Sequence, residues 1–138
     1  MEVSTVLLLI VSALPTVGAW EYDVAYQRAM EGDEPILVFV TADWCGACQQ
    51  MKATTIEDMI SQNKFDGFHF AIVDLGRQPR LGNRLIRTQA VPQLITMQKE
   101  PPGWTARRLL GIQSEASIEA FLDMSRRGGQ PAKVVLSP

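Results

Sequence analysis

The stretch from Pro35 to Ala53 reads Pro35-Ile36-Leu37-Val38-Phe39-Val40-Thr41-Ala42-Asp43-Trp44-Cys45-Gly46-Ala47-Cys48-Gln49-Gln50-Met51-Lys52-Ala53, and it contains both cysteines of the 138-residue chain. Its first part is apolar on every residue from Ile36 to Val40, the pattern of a central strand covered on both faces. Its last part has the character of a helix. Between them the two cysteines stand three apart. At that spacing on a helix their sulfurs share a face and come within disulfide reach. Cys45 falls at the helix N-terminus, where unpaired N–H groups and the helix dipole favour negative charge and so the reactive thiolate. Cys48 lies one turn further in, placed to attack a mixed disulfide formed on Cys45. Two other roles are open to the pair. It could be half of a zinc site, but zinc usually takes four ligands and His69 is the only further soft one. It could be a structural staple, but so short a loop gains little from closure.

Working outward, Glu21 to Glu31 carries Tyr22, Ala25, Tyr26, Ala29 and Met30 at helical spacing, and Gly32-Asp33-Glu34-Pro35 stops it. A helix is expected from Ala47 to about Ile60, with Met51, Ile56, Met59 and Ile60 inward and Phe65 as a plug beyond it. Phe68 to Asp74 reads as a strand. His69 at its entry is read as a surface or capping residue rather than a catalytic one. Gln78-Pro79-Arg80 opens a short helix to about Arg87. Arg80, Arg84 and Arg87 should share one face of it, with Arg77 just upstream. That face is either simply solvated or a docking patch for an acidic partner or lipid headgroup. Val91 to Met97 is a strand led by Pro92, Lys99 to Gly103 a hairpin-type loop, and Thr105 to Leu110 the returning strand. Ser114 caps a last helix with Ile118, Phe121, Leu122 and Met124 on its apolar side, and Arg126-Arg127-Gly128-Gly129 ends it.

The length suits one domain and the 46% apolar content is enough for a core. A net charge of −2 and the lack of any basic-aromatic constellation argue against nucleic acid. Val3 to Trp20 contains no charged residue, and Val17-Gly18-Ala19 has the small-x-small form of a cleavage site. Residues 1–19 are therefore expected to be a signal peptide or, at close to the minimum length for a span, an N-terminal membrane anchor, although Glu2 replaces the usual basic n-region. A buried N-terminal segment is the third possibility. The first two place the cysteines in a periplasm-like or lumenal space, where disulfides form. Residues 20–127 then form the domain and 128–138 a flexible tail.

The order α-β-α-β-α-β-β-α, with Cys-x-x-Cys opening the second helix, resembles the thioredoxin fold over Trp20 to Arg127. Thr41 to Cys48 resembles the active-site segment of thioredoxin-like proteins, and its Ala-Asp-Trp-Cys-x-x-Cys form is similar to that of the C-terminal periplasmic domain of transmembrane thiol-disulfide interchange proteins. Val91-Pro92 falls where that family keeps a cis-proline facing the cysteines. Gly111, Ser114 and Phe121-Leu122 match its last turn and helix. The resemblance implies an α/β fold with a central mixed sheet of about four strands flanked by helices. It implies that Cys45 attacks, that Cys48 resolves, and that Trp44 shields the site. Val91 and Pro92 would align a substrate strand, and Gly46 and Ala47 form the active-site turn. No organic cofactor and no metal are called for. The partners implied are protein thiols or disulfides and a redox partner, and the expected state is a monomer. Two positions depart from thioredoxins proper. Phe39 stands where they bury an aspartate, and Gly46-Ala47 replaces Gly-Pro, so their rates and potential do not carry over. Asp43 is too exposed by position to stand in for the aspartate. The expected function is an exported thiol–disulfide oxidoreductase. The alternative is a thioredoxin-fold binding module whose cysteines form a structural or vestigial disulfide.

Overall fold

A computed structural model describes residues 20–128. The segments expected to be a leader or anchor, 1–19, and all but the first residue of the expected tail lie outside the described residues. Helix α1 spans Tyr22–Gly32 and strand β1 Ile36–Thr41. The cysteine helix follows as α2 (Gly46–Met51), a π-helical stretch (Lys52–Ile56) and α3 (Glu57–Ser61). Then come β2 (His69–Asp74), α4 (Pro79–Leu85), β3 (Gln93–Glu100), β4 (Gly103–Leu110) and α5 (Glu115–Arg126).

The sheet runs β2-β1-β3-β4, with β1 parallel to β2 and antiparallel to β3, and β3 antiparallel to β4. The unbroken apolar run of β1 is explained by this central place. Leu37 and Phe39 face a core built with Met51, Ile56, Met59, Phe65 and Phe70, and with Ile118, Phe121 and Leu122 of α5. Ile36, Val38 and Val40 face the opposite way, onto Ala25 and Ala29 of α1 and Leu85 and Ile86 at the end of α4. Helices therefore cover both faces, and the α/β architecture with a four-stranded mixed sheet is the one expected. Ser114 caps α5 as anticipated, its side chain accepting from the Ser117 N–H at 3.2 Å.

The structure corrects several local expectations. The cysteine helix is not uniformly α. The Thr54 hydroxyl donates to the Gln50 carbonyl at 2.8 Å, inside the stretch where the ladder widens to π. Helix α4 stops at Leu85. Ile86 turns to an extended backbone and sinks into the α1-side core, so Arg87 leaves the helix and does not share its face with Arg80 and Arg84. Strand β3 begins at Gln93 rather than Val91 and runs on to Glu100. The expected five-residue loop shrinks to a turn at Pro101-Pro102, because Lys99 and Glu100 still pair with Trp104 and Gly103. Pairing ends at the prolines, neither of which has an N–H to give it. Glu100 is held from the next strand by Arg107, 2.8 Å away and almost fully buried.

Candidate active site

The chain leaves β1 at Thr41 and turns through Ala42–Trp44. The Cys45 N–H donates to the Ala42 carbonyl at 3.0 Å, which closes the turn. Cys45 has extended backbone angles, φ −98° and ψ 102°, and is the N-cap of α2. Its Sγ accepts from the Cys48 N–H at 3.2 Å. A sulfur thus takes the place of the usual capping oxygen and satisfies one of the orphan donors at the helix start. Cys45 and Cys48 are joined by a disulfide, with Cα atoms 5.2 Å apart. Cys45 is half-buried, whereas Cys48 is 0% exposed. Any chain arriving from solvent meets Cys45 first.

The rest of the site is assembled around that sulfur. The Val91–Pro92 peptide is cis, and the Val91 carbonyl oxygen lies 3.9 Å from Cys45 Sγ. Pro92 is buried, and its own carbonyl accepts from the Gly111 N–H at 2.8 Å. Trp44 stands out into solvent, 72% exposed. It directly precedes Cys45 in the chain, with most of its surface in water. A Cβ at Gly46 would meet no atom within 4 Å, so the turn is open on that side.

Phe39 is fully buried in the core beneath the cysteine helix. Asp43 is exposed and sits 3.9 Å from Arg77. His69 is at the other end of the sheet. Its partner in β1 is Ile36, five residues before Thr41, which is about 16 Å of strand. Its Nε2 lies 3.4 Å from Glu34. It can serve neither as a catalytic base for the cysteines nor as a third ligand beside them.

Two positioning residues escape a reading of sequence alone. Gln93 is 1% exposed, and its Nε2 donates to the carbonyls of Ala90 at 2.7 Å and Thr88 at 3.4 Å. It ties down the loop that carries Val91. Gln49 Nε2 donates to the Ala42 carbonyl at 3.1 Å and secures the other wall, the turn before Trp44. The available signal was a glutamine at the first position of an apolar strand, since a buried amide must find partners.

The family model for thioredoxin-like proteins matches residues 19–99, more than half of the chain. The chain belongs to the thioredoxin-like family. Among thioredoxin-like relatives it is similar to a thioredoxin of Alicyclobacillus acidocaldarius subsp. acidocaldarius, 29% identical over 100 residues, covering 72% of this chain and 90% of that one. Its fold is similar to the solution structure of a thioredoxin from Thermus thermophilus, with a TM-score of 0.65 at 20% identity over 80% of this chain and 87% of that one. It also matches chloroplastic thioredoxin z, with a TM-score of 0.60 at 23% identity over 78% and 92% of the two chains. The thioredoxin-like fold together with the Cys45–Cys48 disulfide supports thiol–disulfide redox chemistry.

Proposed function

We propose that this chain is an exported thiol–disulfide oxidoreductase that exchanges disulfides with cysteines of other exported proteins. One observation carries this reading. Cys45 caps its helix through sulfur and is partly exposed, while its partner Cys48 is sealed behind it. In the dithiol form the Cys48 N–H and the helix start stabilise a Cys45 thiolate. That thiolate attacks a client disulfide and expels one client thiolate. Cys48 then attacks Cys45 in the mixed disulfide, which releases the second client thiolate and leaves the Cys45–Cys48 disulfide. Run backward, the same steps oxidise a client dithiol. The client segment lies along Val91 as an added extended strand, with Trp44 against its side chains.

Export is supported by the uncharged run Val3–Trp20 and the small-x-small triplet before Trp20. No helix among the described residues is long and apolar enough to cross a membrane. The Ala-Asp-Trp-Cys-x-x-Cys form favours kinship with the periplasmic domain of transmembrane thiol-disulfide interchange proteins.

The test of activity is reduction of hydroxyethyl disulfide by the reduced protein. Turnover lost on replacing both cysteines by serine is the expected result. A cellular function that survives that replacement means a binding module instead. Export is tested by the mass of the protein recovered from cells. A mature N-terminus at Trp20, or an intact chain in the membrane fraction, is expected, and an intact soluble cytosolic chain contradicts it.

A further inference from the structure

Between Leu75 and Gln98 the sequence has four arginines and no Asp or Glu, in a chain whose net charge is −2. Arg80, Arg84 and Arg87 are exposed. Among the described residues no carboxylate forms an ion pair with any of the three, although Asp23 lines the same groove as Arg80 and Arg84. Arg108 joins them from β4. Its Nη2 donates to the Leu85 carbonyl at 2.8 Å, the C-terminal end of α4. Burial, and then the neighbouring charge of Arg87, hold its pKa below the ordinary arginine value. Among the described residues Arg108 has no carboxylate ion-pair partner, so this corner of the fold adds positive charge beside Arg87.

Arg77, Arg80 and Arg84 line one groove, and Arg87 follows just past the end of α4. At one end Arg77 meets Asp43, two residues before Cys45. At the other Arg87 is four residues from Val91, a span of at most about 14 Å, and the Val91 carbonyl faces Cys45 Sγ. Residues flanking the reactive cysteine of a partner strand laid along Val91 can reach Arg87 within that span.

We propose that this arginine ridge docks an acidic protein segment flanking the cysteine that reacts at Cys45. This rests on the oxidoreductase reading and names its class of partner: an acid-flanked thiol or disulfide. The redox step is unchanged by docking. The protein dithiol becomes the Cys45–Cys48 disulfide and the partner disulfide becomes two thiols. The ridge raises the encounter rate, which must then fall with salt.

The experiment uses the full chain and two peptides. Each holds one cysteine in a mixed disulfide with thionitrobenzoate, one flanked by four glutamates and the other by four lysines. The reduced protein should release the chromophore from the glutamate peptide at least tenfold faster at low salt, and the gap should close to twofold or less at 0.5 M salt. R80E/R84E/R87E should reverse the preference, while its rate with uncharged hydroxyethyl disulfide stays within twofold. Equal rates for the two peptides, or a preference that survives charge reversal, overturn the proposal. Binding is read separately with the glutamate peptide carrying serine for cysteine, by fluorescence anisotropy. Binding weakened at least tenfold in the variant supports docking even if redox turnover is absent, so failure of the two ideas is distinguishable. Vesicles with 30% phosphatidylglycerol complete the set. If the triple variant loses vesicle binding but keeps full peptide binding, the ridge is a lipid surface and the proposal fails.

Discussion

The Val91 carbonyl oxygen lies 3.9 Å from Cys45 Sγ across 46 residues of sequence. Strand pairing brings them together. Gln93 opens β3 against Val40, the penultimate residue of β1, so the loop before β3 and the turn after β1 meet at the same edge of the sheet. The site is a junction of two loops, each pinned by a glutamine amide.

Trp44 offers contact area to a client but little to the fold, because most of it is in water. Trp44→Ala should change unfolding free energy by no more than about 0.5 kcal/mol, as for exposed surface positions. Turnover of protein clients should fall several-fold while turnover of hydroxyethyl disulfide is kept. Paired kinetics on the two substrates, with a denaturant titration, check this.

Phe39 excludes from the core the carboxylate that thioredoxins proper bury there. Phe39→Asp should not restore such a group. It removes a fully buried ring, which costs about 3–5 kcal/mol on truncation alone, and it places a carboxylate in an apolar core without a partner. Urea denaturation should show the variant destabilised by more than the Phe39→Ala protein, and a stability equal to wild type would contradict the packing described.

Tyr22 is half-buried, and burial first, then the nearby Tyr26, raise its pKa above the ordinary 10.0. The raised value means that the unfolded state loses its proton first. The stabilisation is complete below pH 10 and is lost as pH climbs through the folded-state pKa. Tyr22→Phe should therefore lose less stability than wild type above pH 10, and parallel melting curves from pH 8 to 11 measure the difference.

The fold was legible because its signals were local and agreed with one another. The run Ile36–Val40 has the pattern of a doubly covered strand, and Cys-x-x-Cys after it marked both the turn and the helix start. Phe65 was recognisable as a plug, and Ser114 as a cap. What escaped depended on tertiary partners. Arg87 has helical spacing from Arg80 and Arg84, but burial of Ile86 ends the helix before it. The π stretch, where the Thr54 hydroxyl takes the Gln50 carbonyl, has no counterpart in the helical spacing of the sequence. Gln93 and Gln49 look like ordinary polar residues until the loops they hold are seen. The 72% exposure of Trp44 is set by the path of the turn, which the sequence does not display.

Trapping of mixed disulfides tests the central claim most directly. Purified Cys48→Ser and Cys45→Ser proteins are each mixed with thionitrobenzoate-linked peptide, quenched by alkylation and weighed by mass spectrometry. The geometry predicts that the Cys48→Ser protein accumulates a stable adduct at Cys45, whereas the Cys45→Ser protein, its remaining thiol sealed in the core, stays at its own mass. The opposite pattern, with peptide retained on Cys48 and none on Cys45, would contradict the account.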